Sequence, residues 1–81
     1  MNIAERVIAV WKYAKQLEDL EREAVGYPSP WSWASKCYWQ IANEYRARYG
    51  RDATVVIELE WLSFHSTFKG TEQLKREGRL S

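Results

Sequence analysis

The run Asp52-Ala53-Thr54-Val55-Val56-Ile57-Glu58-Leu59-Glu60-Trp61-Leu62-Ser63-Phe64-His65-Ser66-Thr67-Phe68-Lys69 admits two readings. Ile57 to Trp61 alternates apolar and charged residues, as a half-buried strand does, which would make residues 54–62 the strand of an α+β domain. Ile57, Trp61, Phe64 and Phe68 recur instead at i, i+4, i+7 and i+11, the spacing of one helical face. No other segment reads as β, and a lone strand would leave its backbone groups to water. The helix is therefore the expected state, started by Asp52 or Thr54 and stopped by Gly70.

Working outward, Thr71 can cap a short fourth turn, Glu72 to Glu77, that stops at Gly78, with residues 79–81 as a tail. Upstream, Ser29 followed by Pro30 is a helix start, because a hydroxyl caps and the proline lacks only an N–H that would be unpaired anyway. From there Trp31, Ala34, Tyr38, Ile41, Ala42, Tyr45 and Tyr49 share a face up to Gly50. At the start of the chain Asn2 with Glu5 forms a capping-box pattern, and no Gly or Pro intervenes before Ala24. Ile3, Val7, Val10, Ala14 and Leu17 make the apolar stripe of that first helix. Its acidic end, Glu18 to Glu23, conflicts with the macrodipole, which favours cations there.

The expectation is an all-α protein: a small bundle of three helices plus a short C-terminal turn, built on an N-terminal antiparallel αα-hairpin, with residues 1–81 as one helical domain. A chain of 81 residues has room for a single modest core. At 46% hydrophobic and 15% aromatic it is too rich in aromatics for a disordered chain.

Charge excludes the simplest polyanion partners: 12 Lys plus Arg stand against 11 Asp plus Glu, with the only basic bias on the second helix and just beyond it, at Lys36, Arg46, Arg48 and Arg51. One cysteine and one histidine cannot make a disulfide or a zinc site, so no cofactor or metal is expected, and a reducing, cytoplasmic setting is favoured. No signal-peptide pattern and no stretch of about 20 apolar residues is present, so no membrane association is expected.

Catalysis finds little footing. Cys37 and His65 are the one nucleophile–base pair to consider, and each reads more simply as structure, Cys37 at the margin of the core and His65 as a half-buried, hydrogen-bonded side chain. The carboxylates Glu21/Glu23 and Glu58/Glu60 are two apart and diverge on a helix. No phosphate loop or metalloprotease motif appears, so no catalytic residue is assigned.

What the sequence offers instead is more aromatic surface than one core stripe uses. Trp39 projects roughly 80 to 100° from the apolar stripe of the second helix, among Lys36, Asn43 and Arg46, the composition of an interface hot spot. Trp33 is assigned to the core or to packing against the Tyr27-Pro28 loop, which must fold back near it. The third helix carries a second apolar set, Val55, Leu59 and Leu62, opposite Ile57, Trp61, Phe64 and Phe68. Either Leu74 and Leu80 cover that set, or it meets another chain, and the latter is favoured.

The function expected is therefore that of a non-enzymatic protein-binding module, a small regulator or inhibitor of bacterial or phage size that blocks a surface of a larger host complex. Its contacts would be Trp39, Lys36, Asn43 and Arg46, with Leu59 and Leu62 as a second patch, and it could form a homo-oligomer. The alternative, less favoured, is a single-stranded nucleic-acid or nucleotide-binding protein that stacks bases on Trp39 and grips phosphates with the flanking Lys and Arg.

Overall fold

A computed structural model describes residues 2–78 of the chain. It is all-α: α1 spans Ile3–Asp19, α2 Pro30–Tyr49 and α3 Thr54–Arg76, with no strand among the described residues. The tail expected at residues 79–81, and with it Leu80, lies outside the described residues.

Each helix boundary has a local cause. The Asn2 side chain accepts the Glu5 backbone N–H at 2.9 Å, which caps α1, and its side-chain amide donates to the Glu5 carboxylate at 3.4 Å in place of the backbone bond of a full capping box. α1 ends at Asp19, five residues before Ala24. Arg22 N–H bonds to Leu17 C=O and Glu21 N–H to Glu18 C=O, the paired closure of a Schellman motif, with Glu21 in the left-handed region at φ 54°. At α2, Ser29 Oγ accepts the Ser32 N–H at 3.0 Å, Pro30 occupies the first turn, and Gly50 at φ 88° ends the helix. α3 starts without a side-chain cap: Ala53 holds the N-cap position, and neither Asp52 nor Thr54 caps it.

Gly70 does not stop α3. The helix runs through it, and residues 71–76 are its last turns rather than a separate element. A Cβ at Gly70 would lie 2.7 Å from Ser29 Oγ, 3.0 Å from Ser32 Oγ and 3.2 Å from Ser32 N, so the glycine is where α3 presses against the head of α2.

The helices run up, down and up. Arg6 pairs with Glu44 at 2.5 Å and Trp31 Nε1 donates to the Glu18 carboxylate, which fixes α1 antiparallel to α2. Ser35 meets Ser63 and Thr67 at 3.1 and 2.7 Å, and Arg46 meets Glu60 at 2.5 Å, which fixes α3 antiparallel to α2. α2 is thus the central helix, in closer and longer contact with α3 than with α1.

The core has two parts along α2. Ala14, Trp31, Ala34 and Tyr38 pack with Val7, Val10 and Leu62 at one, and Ile41, Ala42 and Leu59 with Ile3, Val55 and Tyr45 at the other. The α2 stripe read from the sequence is buried from Trp31 to Ala42, while Tyr49 is exposed and stacks on Tyr45 at 5.7 Å.

α3 is oriented opposite to the sequence expectation. Its inner face is Val56, Leu59, Ser63, Ser66, Gly70 and Gln73, all buried, and Leu59 is only 2% exposed. Leu59 and Leu62 therefore belong to the core and its edge rather than to an outward patch. The physical reason is the close approach of α2 and α3. A seam of hydroxyls and one glycine lets the backbones come together, and Ser63 Oγ satisfies itself on Ser35 C=O at 3.0 Å, so burying small polar residues costs little. Large aromatic rings have no room in that seam and are turned outward.

Candidate interaction surface

The outward face of α3 carries Ile57, Trp61, Phe64 and Phe68, exposed by 44, 57, 55 and 57%. At about 100° per residue these four lie nearly opposite the buried face of the same helix. The rings touch one another in edge-to-face geometry, Trp61 to Phe64 at 6.2 Å and Phe64 to Phe68 at 5.1 Å. Ile57, Glu60, Trp61 and Phe64 line an open depression at the N-terminal half of the stripe. His65 is exposed at its margin and stacks on Trp61 at 5.6 Å, so it is not the half-buried histidine expected from its position.

Beside this stripe stands one of the contact residues expected from the sequence. Trp39 is 42% exposed, and the Arg46 guanidinium lies 5.2 Å from its ring centroid. Arg46 is held from two further sides, by Asn43 Oδ1 at 2.6 Å and Glu60 Oε1 at 2.5 Å. Trp39, Asn43 and Arg46 are thus brought together as read from the sequence, with Glu60 as an unforeseen fourth member. Lys36 is exposed on the same side of α2. The register that joins Ser35 to Ser63 and Arg46 to Glu60 sets Trp39 beside the Glu60–Phe64 turn, so the α2 cluster and the α3 stripe adjoin.

Cys37 is a free, half-buried thiol on the row of α2 that includes Trp33 and Glu44 and faces α1, and burial pushes its pKa up. His65 faces outward from α3, so thiol and imidazole are not assembled. Trp33 packs against the core and edge-on against Tyr13 of α1 at 5.1 Å, the core placement of the two expected for it. Trp31, buried, receives Lys69 Nζ at 4.4 Å over its ring. Burial alone would raise the Glu18 carboxyl, but its bonds from Trp31 and Lys15 and the charges of Lys15 and Lys69 outweigh that and hold it below the usual carboxylate value. Among the described residues no group of three or more His, Cys, Asp or Glu is placed to hold a metal ion. None of the described helices is long and apolar enough to cross a membrane.

The stripe was present in the sequence as a periodic set, but the opposite set, Val55, Leu59 and Leu62, was the one expected to face another chain. The signal that separates the faces is the small-residue spacing, Ser29/Ser32/Ser35 on α2 against Ser63/Ser66/Gly70 on α3. Two such rows complement each other across an antiparallel helix pair.

Comparison with known protein families, with curated proteins and with solved structures finds no match for this chain.

Proposed function

We propose that this chain is a non-enzymatic protein-binding module, a small regulator or inhibitor that acts by covering a surface of a larger protein. The observation that carries the reading is the outward face of α3, where four large apolar side chains stand about half exposed on a helix whose opposite face is already packed. Burying such a face against a partner removes apolar surface from water at roughly 25 cal/mol per Å². The adjoining Trp39–Arg46 pair adds the residue types that dominate interface energetics, and Asn43 and Glu60 hold the guanidinium in place before binding.

The same geometry weighs against single-strand nucleic-acid binding through Trp39. One side of the indole is taken by Arg46, and Glu60 offsets the cation that a phosphate would need.

The test is capture of a partner by the full chain at about 50 and 200 mM salt, with Trp39→Ala and Phe64→Glu beside it. A protein retained at both salts and lost with either substitution, at unchanged far-UV circular dichroism, is the expected outcome. Retention of nucleic acid alone, with affinity falling about 1,000-fold or more between the two salts, would overturn the reading. So would protein capture indifferent to both substitutions.

A further inference from the structure

We infer that the outward face of α3 seats a second copy of this chain, α3 against α3 in antiparallel orientation about a two-fold axis between Trp61 and Phe64. The inference rests on the protein-docking reading of this face and names what occupies it in the free chain, the copy that a larger partner would displace.

The spacing is the first argument. Ile57, Trp61, Phe64 and Phe68 are separated by four, three and four residues, an interval pattern that reads the same in both directions. An antiparallel dyad sets Ile57 against Phe68 of the second copy and Trp61 against Phe64, so each surface is its own complement, as an isologous interface requires.

Charge fixes the direction. Asp52, just before α3, and Lys75, near its end, are both exposed and lie beyond the two ends of the apolar stripe. The antiparallel register brings Asp52 to within about half a helical turn of Lys75, twice by symmetry. It also brings Glu72 to the uncapped N-terminus of α3, whose free N–H groups favour an anion. A parallel pair would instead oppose Asp52 to Asp52 and Lys75 to Lys75.

Area is adequate. About half of the 150–250 Å² that a large side chain can bury is open at each stripe position, giving about 450 Å² per protomer. With the charged rim the pair would bury about 1,200 Å² in total, the lower end of stable interfaces and consistent with a concentration-dependent dimer.

Sedimentation equilibrium of the full chain over a concentration series tests this directly. The wild type is expected to pass from 9.6 kDa to twice that mass, and Phe64→Glu to raise the dissociation constant at least about 100-fold with helicity intact. Trp61→Ala, which adds no charge, should weaken the dimer in the same direction. Orientation is read from paramagnetic labels at Lys75→Cys in a Cys37→Ser background. Antiparallel helices separate the two labels by about 38 Å along the axis, whereas parallel ones bring them within about 15 Å. A chain that stays at 9.6 kDa at every concentration, or labels at the short distance, overturns the inference. If the chain stays monomeric while Phe64→Glu still abolishes capture of a different protein, the docking reading stands and the second copy falls. If neither mass nor capture responds to Phe64→Glu, both fall.

Discussion

Tyr38 shows how one buried residue ties the core to pH. Its ring lies between Ala14, Trp31 and Ala34, it is 1% exposed, and burial, with the neighbouring Cys37, pushes its phenol up to about 12. Folding thus holds the proton more tightly than the unfolded chain, whose tyrosine ionises near 10. The linked stability is complete below about pH 10 and is lost as pH rises toward 12, on the order of 2 kcal/mol. Cys37, raised by burial, and Lys15, raised by its bonds to Glu18 and Asp19, lose stability on the same alkaline limb. The informative quantity is therefore the difference between the wild type and Tyr38→Phe. Urea unfolding at pH 9, 10 and 11 should show the wild type declining more steeply, and parallel declines would mean that the phenol is solvated. Glu18 acts in the opposite sense on the acid side, since its lowered pKa contributes stability above the unfolded value that is lost as pH falls.

The pairing of α2 with α3 turns on what a helix face can bury at close range. Gly70 leaves no space for a methyl group: the Cβ of Gly70→Ala would meet Ser29 Oγ at 2.7 Å, and that hydroxyl is committed to capping Ser32 N–H. Alanine is the better helix former by up to about 1 kcal/mol, but the clash costs more, for a net loss of about 1–2 kcal/mol. In a chain this size that lowers the melting temperature by about 5–10 °C, which calorimetry reads directly. An unchanged or raised melting temperature would show that the seam yields. The same seam explains what the sequence did and did not reveal. The helix starts at Asn2 and at Ser29-Pro30 and the stop at Gly50 were legible, because caps and left-handed glycines act within a few residues. So were the Trp31 to Ala42 stripe and the grouping of Trp39, Asn43 and Arg46, which share one helix. The inner face of α3 was not, because hydrophobicity ranks Trp61 and Phe64 above Ser63, Ser66 and Gly70, while the distance between two backbones ranks them the other way. Glu60 was missed as the partner of Arg46 for a related reason, since only the antiparallel register brings the two together.

At the scale of the whole molecule, stability is unevenly shared. α2 and α3 meet along a seam of hydroxyl bonds, the Gly70 contact and the Arg46–Glu60 bridge. α1 buries only Ala14 and Leu17, leaves Ile8, Trp11 and Tyr13 exposed, and faces α3 across an open groove of Val7 and Ile8 against Val55 and Leu62. Its polar ties to α2 are Arg6 with Glu44 and Glu18 with Trp31. The first of these is exposed and worth about 1 kcal/mol or less. A 17-residue helix with so few anchors has little stability of its own. Native-state hydrogen exchange should therefore find α1 amides opening at a lower free energy than the central amides of α2 and α3, by about 2 kcal/mol or more. Equal protection across the three helices would mean that the bundle opens only as one unit. The difference bears on function because Trp39 and the whole aromatic stripe lie on the α2–α3 pair. That pair would keep its docking surfaces in register while α1 opens and closes, so binding through them should not depend on α1 being closed.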